Sequence, residues 1–269
     1  MTLIMGIVNV TPDSFSDGGR YLDADAAIAH GLALRAAGAD LLDVGGESTR
    51  PGAERVDPAT EQARVLSVVA ALAAAGAVVS IDTMNAATAR AAVDAGARIV
   101  NDVSGGLADA DMLPVVAASG ADVVLQHWRG HSADMYADAD YGDVARDLTV
   151  ELGDRIRAAA AAGISPDRVI LDPGIGFGKR GPQNWQALRG LDRIVALGPR
   201  VLVGTSRKRF LAEALDSDPA AVSRERRDLA TAVTSVLAAQ AGAWAVRVHD
   251  VAATRDALRI ARAWREGGE

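Results

Sequence analysis

The feature of this chain that most restricts its fold is a unit that occurs five times: a small-residue segment with a glycine, followed directly by an apolar run. The copies read AAGADLLDVGG (36–46), DAGARIVNDVSGG (94–106), ASGADVVLQHW (118–128), AAGISPDRVILDPG (161–174) and QAGAWAVRVHD (240–250). A glycine at such a place is a typical signal for the end of a helix. Each unit therefore predicts a helix that ends near its glycine and a strand that follows at once.

Three further apolar runs, at residues 3–10, 78–83 and 200–206, bring the number of predicted strands to eight. The runs are rich in β-branched residues and hardly alternate with polar ones, as expected for parallel strands covered on both faces. Eight strand–helix units favour a single (β/α)8 TIM barrel. The competing doubly wound open sheet usually carries G-x-G-x-x-G after its first strand, where this chain reads GIVNVTPDSF.

Length and composition narrow the possibilities further. The 269 residues suit one barrel, and no Pro/Ser-rich or charged linker divides them, so we expect one domain over residues 1–269. A net charge of −7 argues against a nucleic-acid surface. No apolar run reaches the roughly 20 residues that cross a bilayer. Because the chain has no cysteine and starts without a signal-like segment, we expect a cytoplasmic enzyme that contacts neither nucleic acid nor membrane.

Polar side chains stand at the end of every predicted strand, and in a barrel these carboxyl ends share one face. They are Asn9, Asp43, Glu47, Asp82, Asn101, Asp102, Gln126, His127, Asp172, Ser206, Arg207, Lys208, Arg247, His249 and Asp250. A single Asp or Asn after a strand is more often a helix N-cap than a ligand contact. A set at eight strand ends, with the cations on the last two, instead indicates a site for an anionic group.

Residue usage also limits the chemistry. Only two lysines, Lys179 and Lys208, occur among the 28 basic residues, and both lie in loops after predicted strands. A lysine in so arginine-rich a chain indicates a site that suits a compact ammonium, although chance is an alternative explanation. The four histidines show no H-x-H or H-E-x-x-H spacing, so any metal would be bound by oxygen. Ser206 is not in a G-x-S-x-G motif, and no nucleophile elbow is visible.

Seven segments between residues 6 and 250 together resemble the dihydropteroate synthases, of the actinobacterial type. They read, in order, GIVNVTPDSFSDGG, DVGGESTRPG, SIDT, NDVSGG, LDPGIGFGK, GTSRKRF and RVHD. The resemblance implies a folate-pathway transferase that condenses 6-hydroxymethyl-7,8-dihydropterin pyrophosphate with p-aminobenzoate, by Mg²⁺-assisted dissociative displacement, to 7,8-dihydropteroate and pyrophosphate. It also implies a homodimer formed through late helices, and inhibition by sulfonamides, which mimic p-aminobenzoate.

The resemblance assigns roles to particular residues. It places on the pterin Asp82, Asn101, Gln126, Asp172, Lys208 and Arg247. A carboxylate such as Asp172 suits the paired N–H donors of the pterin edge. The catalytic residues that it implies are Asp17, Lys208, Arg247 and His249, with Mg²⁺ on Asn9. Gln126 is a departure, because the family commonly has methionine there, and a polar amide could alter the pterin pocket.

A second group would form lids and the p-aminobenzoate pocket: Phe15, Ser48, Thr49, Arg50, Pro51, Phe177, Ser206 and Arg209. The loops after the first two strands would close over the pyrophosphate, with Asp17 steadying the cationic carbon and Phe15 excluding water. A surface turn is the other interpretation of the first loop. The alternative function is a pterin-binding barrel without synthase activity, which would keep Asp82, Asn101 and Asp172 but lack the lids.

Overall fold

Eight parallel strands close into a barrel in chain order, and the first strand pairs with both the second and the eighth. The computed structural model describes residues 1–10, 20–47, 55–131, 136–137 and 139–267, without the side chains of residues 20–23. The strands are β1 (Leu3–Asn9), β2 (Leu41–Gly45), β3 (Val78–Asp82), β4 (Ile99–Asp102), β5 (Asp122–Gln126), β6 (Val169–Asp172), β7 (Arg200–Val203) and β8 (Ala245–Val248). The predicted (β/α)8 TIM barrel is confirmed.

Helices follow the strands around the outside of the barrel. They are α1 (Arg20–Ala37), α2 (Pro58–Ala74), α3 (Ala86–Asp94), α4 (Met112–Ser119), α5 (Val144–Ala161), α6 (Gly181–Arg189), α7 (Leu191–Val195), α8 (Arg209–Leu215), α9 (Arg224–Gln240) and α10 (Val251–Glu266). The glycines of the repeated unit follow helix ends with positive φ, as predicted, at Gly38, Gly96, Gly120, Gly163 and Gly242. Within the part of the chain that the structure describes, no helix combines the length and apolar character needed to cross a membrane.

Two separate apolar cores hold the barrel together. The larger one lies between the strands and the helices. The smaller one fills the inside of the barrel and consists of Met5, Leu41, Ile99, Val124, Ile170, Leu202 and Ala245. Side chains alternate between the two faces of a strand, so the residue two positions after each inner residue also points inward. Five of those residues are polar: Asp43, Asn101, Gln126, Asp172 and Arg247. The strands thus place a polar layer directly above an apolar floor.

The strand predicted at residues 200–206 ends early, at Val203. The next residues turn, closed by a hydrogen bond of 3.1 Å from the backbone N–H of Lys208 to the carbonyl of Thr205. Ser206, Arg207 and Lys208 therefore lie in a loop after β7 instead of at its end. The predicted strands at 3–10 and 78–83 are each one residue too long.

Ile170 offers a test of the inner core, because its side chain is fully buried among the other inner residues. The change Ile170→Ala is expected to lower the free energy of unfolding by about 2 to 5 kcal/mol, since it leaves a cavity that the barrel cannot close. Urea denaturation measures the loss. The control is Val150→Ala on α5, where the side chain is 55% exposed and a change within about 0.5 kcal/mol is expected. Equal losses in the two variants would contradict the inner core.

Candidate active site

A cavity of about 1190 Å³ opens at the carboxyl ends of the strands. Its lining contains eleven of the residues that the sequence assigned to the site: Asn9, Asp82, Asn101, Gln126, Asp172, Phe177, Ser206, Lys208, Arg209, Arg247 and His249. The other six lie outside the described residues: Phe15, Asp17, Ser48, Thr49, Arg50 and Pro51. The structure therefore brings together all the described residues that the sequence assigned to a ligand, while the role of each stays a prediction. Four polar residues that were also predicted at strand ends are not part of this lining: Asp43, Asp102, His127 and Asp250.

Arg247 crosses the inside of the barrel and binds two carboxylates. Its Nε donates to Oδ2 of Asp43 at 2.6 Å, and its Nη2 donates to Oδ2 of Asp82 at 2.8 Å. Asn101 donates from Nδ2 to the same Asp43 oxygen at 3.0 Å. Two buried acids thus share one guanidinium. Arg247 lies in the wall of the cavity beside Asp82, and its stacking on a pterin ring stays a prediction.

Asp43 is the residue in this group that the sequence analysis did not assign to a ligand. Its carboxylate is fully buried, and none of the described groups donates a hydrogen bond to its Oδ1. Buried polar atoms are nearly always hydrogen-bonded, so this oxygen marks a place where a donor fits. The signal was present in the sequence: Asp43 is two positions after the inward-facing Leu41.

The surroundings of Asp82 raise the pKa of its carboxyl group. Burial raises the pKa of Asp82 to about 7, against the guanidinium of Arg247, which lowers it. The negative charge of Asp43 raises the pKa of Asp82 further. Near neutral pH, Asp82 is therefore a carboxyl group that can either accept or donate a hydrogen bond.

A second group lies on the opposite side of the cavity, after β6. Asp172 ends this strand, and its Oδ1 accepts a hydrogen bond of 2.7 Å from the backbone N–H of Gly174. Burial raises the pKa of Asp172, and the ammonium of Lys208 opposes this. The same burial lowers the pKa of Lys208 to about 8. Its Nζ binds the carbonyl of Ile175 and lies 4.8 Å from the centre of the Phe177 ring. A carboxylate, an ammonium and an aromatic face therefore adjoin each other.

Ser206 and His249 connect the loop after β7 to the end of β8. The backbone N–H of His249 donates to Oγ of Ser206 at 3.1 Å. Oγ of Ser206 in turn lies 2.8 Å from Nδ1 of His249. This pair holds a hydroxyl and an imidazole together on the cavity wall, near the cationic side that the sequence predicted for an anion.

Comparison with known proteins gives this arrangement its context. Residues 5–249 match the family model for pterin binding enzymes. The dihydropteroate synthase of Mycobacterium leprae (strain TN) is 52% identical over 267 residues, which is 98% of this chain and 94% of that protein. The chain belongs to the dihydropteroate synthase family.

Solved structures agree with this placement. A Xanthomonas albilineans dihydropteroate synthase with 4-aminobenzoic acid superposes with a TM-score of 0.90 at 45% identity, over 98% of this chain and 93% of that one. A Yersinia pestis dihydropteroate synthase in a sulfonamide drug complex has a TM-score of 0.90 at 38% identity, over 98% and 94% of the two chains. Both members of the family share the barrel described above.

Two arginines that follow β7, Arg207 in the loop and Arg209 at the start of α8, have partners within the protein. Arg207 is bound to Asp228 of α9 by two hydrogen bonds, of 2.6 and 2.9 Å. Its φ of 58° is unusual for a residue with a side chain and costs on the order of 1 to 3 kcal/mol. Arg209 pairs with Glu213 at 2.9 Å, and its side chain is 83% exposed. Arg207 was grouped with the cations that would hold phosphate, but the structure shows its guanidinium committed to α9.

His127 does not contribute to the cavity as its place at a predicted strand end suggested. Alternation explains this, because it follows Gln126, which points inward. The His127 ring is buried and lies 2.8 Å from Glu151 through Nε2. Gln126 itself donates from Nε2 to the carbonyl of Val103 at 3.3 Å. The amide that replaces the family's usual methionine therefore has a partner within the protein.

Asp82→Asn tests the shared guanidinium. The variant is expected to be more stable than the wild type without ligand, because it removes a buried charge while Arg247 keeps its bond to Asp43. The pKa of Asp82 is about 7 in the folded chain and 3.8 for the unperturbed group. Between these two pKa values the folded wild type binds more protons than the unfolded chain. The free energy of unfolding of the wild type therefore falls as pH rises through this range. Urea denaturation should show an advantage of the variant that grows with pH.

The control for this prediction is Asp122→Asn, at the opposite end of the barrel, where the carboxylate pairs with Arg200 at 2.9 Å. This control is not expected to gain stability relative to the wild type as pH rises. An advantage of Asp82→Asn that is equal at both ends of the range would contradict the raised pKa.

Proposed function

We propose that this protein is a dihydropteroate synthase, which condenses 6-hydroxymethyl-7,8-dihydropterin pyrophosphate with p-aminobenzoate and releases pyrophosphate. The observation that carries the proposal is the group of Asp172, Lys208 and Phe177 in one cavity, opposite the acids that share Arg247. The 52% identity to a named synthase supports it. The proposed enzyme is a cytoplasmic, single-domain barrel, consistent with a chain that has no cysteine.

The pterin is proposed to lie on the polar layer inside the barrel. Asp172 keeps acceptor positions beyond its bond to Gly174, and a carboxylate can accept two N–H donors of a planar heterocycle side by side. Asp82 and Asn101 line the same cavity and would meet other polar atoms of the ring. A site whose buried groups all require partners discriminates strongly against rings that lack them.

The aminobenzoate ring is proposed to lie against Phe177 and the aliphatic stem of Lys208. The stem packs on the backbone of Gly176, where an added Cβ would come within 2.7 Å of Cδ of Lys208. Only a glycine, which here has φ of 81°, allows this approach. Ser206 and Arg209 line the adjoining wall and would meet the carboxylate. Sulfonamides, which mimic p-aminobenzoate, are expected to compete for the same surface.

The leaving pyrophosphate is proposed to lie beside Asn9, Arg247 and His249. Among the described residues no cluster of three or more His, Cys, Asp or Glu side chains could hold a metal ion. Asn9, half-buried at the end of β1, offers one carboxamide oxygen to the cavity. That fits Mg²⁺, which is usually bound by few protein ligands together with substrate phosphates. When bound there, Mg²⁺ would neutralise the charge that develops on the leaving group.

Asp172→Asn tests the proposed function. The wild type should form 7,8-dihydropteroate from the two substrates with Mg²⁺, and a sulfonamide should raise the apparent KM for p-aminobenzoate. The variant should bind the pterin about 10- to 100-fold more weakly, since it loses a charge-assisted hydrogen bond worth about 1.5 to 3 kcal/mol. Turnover assays and calorimetry measure both effects. Asp122→Asn is the matched control, because the same substitution lies at the other end of the barrel.

A second variant tests the proposed role of the loops after the first two strands as lids. Asp17→Ala is expected to lose turnover while it keeps pterin binding, because the resemblance places Asp17 on the reacting carbon and not on the ring. A wild type that binds the pterin tightly but forms no product would contradict the synthase and favour the pterin-binding barrel without activity.

We further propose that the protein forms a homodimer through α9 and α10, which pack side by side. Large apolar side chains lie exposed on these two helices at Leu229, Val233, Leu237, Ile260 and Trp264. On α9 they recur every four residues, so they share one face of the helix. An apolar patch of this kind on a solvent-exposed surface is typical of a protein interface. In a two-fold symmetric dimer the patch would be buried against the same patch of the second copy.

Val233→Arg tests the dimer. The wild type should be a dimer by light scattering, and the variant should be a monomer, because a charge would be buried at the centre of the patch. The control is Val150→Arg on α5, since the two valines have nearly the same exposure, 52% and 55%. The control should remain a dimer. A monomeric wild type would refute the proposed assembly.

A further inference from the structure

The only two lysines of the chain bind one loop from different sides. This loop, residues 173–178, follows β6 and is called the β6 loop below. Nζ of Lys179 donates to the carbonyls of Gly174 at 2.9 Å and Phe177 at 3.1 Å. Nζ of Lys208 donates to the carbonyl of Ile175, which lies between them in the chain. Three backbone carbonyls of one short loop are therefore bound by ammonium groups.

Lys179 is buried in a way that is unusual for lysine, with 1% of its surface exposed. Its third acceptor is Nδ1 of His127, at 3.0 Å. An ammonium has three hydrogens, so the charged form satisfies all three acceptors. Nδ1 must then carry the lone pair, which leaves Nε2 of His127 to donate to Glu151 at 2.8 Å. Burial, opposed by Glu151, lowers the pKa of His127 to about 4, consistent with a neutral ring.

Such an arrangement is costly, because none of the three acceptors that bind the ammonium carries a charge. Removing a charged group from water costs several kcal/mol unless bonds replace the hydration. Burial accordingly lowers the pKa of Lys179 to about 7, and Asp172 opposes this. A methionine or leucine would fill the same space without this cost. The ammonium therefore does something that an apolar side chain cannot do: it holds the carbonyls of Gly174 and Phe177 in place by hydrogen bonds.

The β6 loop carries parts of both proposed substrate sites. The backbone N–H of Gly174 donates to Asp172, the proposed pterin ligand. The ring of Phe177 forms the proposed floor of the aminobenzoate site below Lys208. The loop also has little room to move toward β5, because a Cβ on Gly174 would lie 2.3 Å from the carbonyl oxygen of His127. A shift of either carbonyl that Lys179 binds would move one of these two groups.

We propose that Lys179 is a positioning residue for both substrates. Its ammonium holds the carbonyls of Gly174 and Phe177, and through them it orients the N–H that binds Asp172 and the ring that supports aminobenzoate. Lys179 acts through the loop and makes no bond to substrate. The inference rests on the proposed synthase function.

Lys179→Met is the test. It keeps the length and apolar stem of the side chain and removes the ammonium that binds the carbonyls of Gly174 and Phe177. The carbonyl of Gly174 then keeps only the backbone N–H of Phe177, at 3.0 Å. The KM for each substrate and the Kd for the pterin pyrophosphate are expected to rise about tenfold, as for the loss of about 1.4 kcal/mol in binding. The kcat is expected to change by less than about threefold, because the groups proposed to act on the leaving pyrophosphate are untouched. Steady-state kinetics and calorimetry give these values.

A lower stability of the Lys179→Met protein must be distinguished from a shift of the β6 loop. The control is Leu148→Ala, a fully buried change on α5 that lowers stability and removes no hydrogen bond to the β6 loop. It should leave both KM values unchanged at a temperature where it is folded. Lys179→Gln keeps one amide donor and should show a smaller rise in KM than Lys179→Met. It also serves as the test variant if Lys179→Met does not fold.

The outcomes separate the two proposals. A wild type that forms no dihydropteroate contradicts the proposed function. An active wild type with unchanged KM values in Lys179→Met and Lys179→Gln overturns the positioning role alone. A rise in both KM values that follows the order Met above Gln, with Leu148→Ala unaffected, supports it.

Discussion

The bond that the rest of the site depends on is the one between Arg247 and the carboxylates of Asp43 and Asp82, enclosed above the apolar floor of the barrel. Three strands, β2, β3 and β8, meet at this point. Each buried ion would cost several kcal/mol alone, so the acids require the guanidinium and the guanidinium requires the acids. One cation between two acids leaves an excess of acceptors, and Oδ1 of Asp43 has no donor among the described groups. An interior of this kind suits a neutral ring that presents several N–H donors.

The anionic parts of the proposed substrates need the opposite environment, and the chain supplies it locally. The net charge of the protein is −7, yet the wall formed by the loops after β6, β7 and β8 carries Lys208 and His249 beside Arg209. Net charge governs the field far from the protein, whereas a ligand in a cavity responds to the groups that face it. The barrel thus has an excess of acceptors over its one cation, Arg247, inside and further basic groups at the rim, and a molecule with a polar ring and an anionic tail fits across this division.

Much of this architecture could be predicted from the sequence because its signals are local. Glycines after small-residue helices and unbroken apolar runs identify single elements, and eight predicted strands with helices between them leave few alternatives to a barrel. Alternation then explains why Asn101, Gln126 and Asp172 reach the cavity: each is two positions after an inner apolar residue. The same rule, applied strictly, separates His127, which points outward, from Asp43, which points inward two positions after Leu41.

Pairings between distant residues could not be predicted in this way. Arg247 and Asp43 are 204 positions apart, and the local sequence around either residue does not indicate that the two are partners. The bond between Arg207 and Asp228 depends on a backbone turn in which Arg207 has a φ of 58°. None of the residue types in the segment SRK predicts such a turn. The turn after the early end of β7 also contacts α9: Oγ1 of Thr205 lies 2.8 Å from Oγ1 of Thr234, and the N–H of Arg207 donates to Oγ1 of Thr231 at 3.1 Å.

The β6 loop shows how a sequence signal and a structural one combine. Gly174 and Gly176 have positive φ and approach His127 and Lys208 too closely for any other residue. A loop with such glycines has few side chains of its own, and one backbone hydrogen bond of 3.0 Å closes it, from the N–H of Phe177 to the carbonyl of Gly174. Groups outside the loop supply further bonds. Asn184 accepts from the N–H of Gly176 at 2.6 Å, and the two lysines bind the carbonyls. Lysine suits this task better than arginine, because a compact ammonium can donate in three directions within a small space. Lysine at these two positions then has a physical explanation. Three converging acceptors surround the ammonium of Lys179, and the narrow stem of Lys208 packs over Gly176.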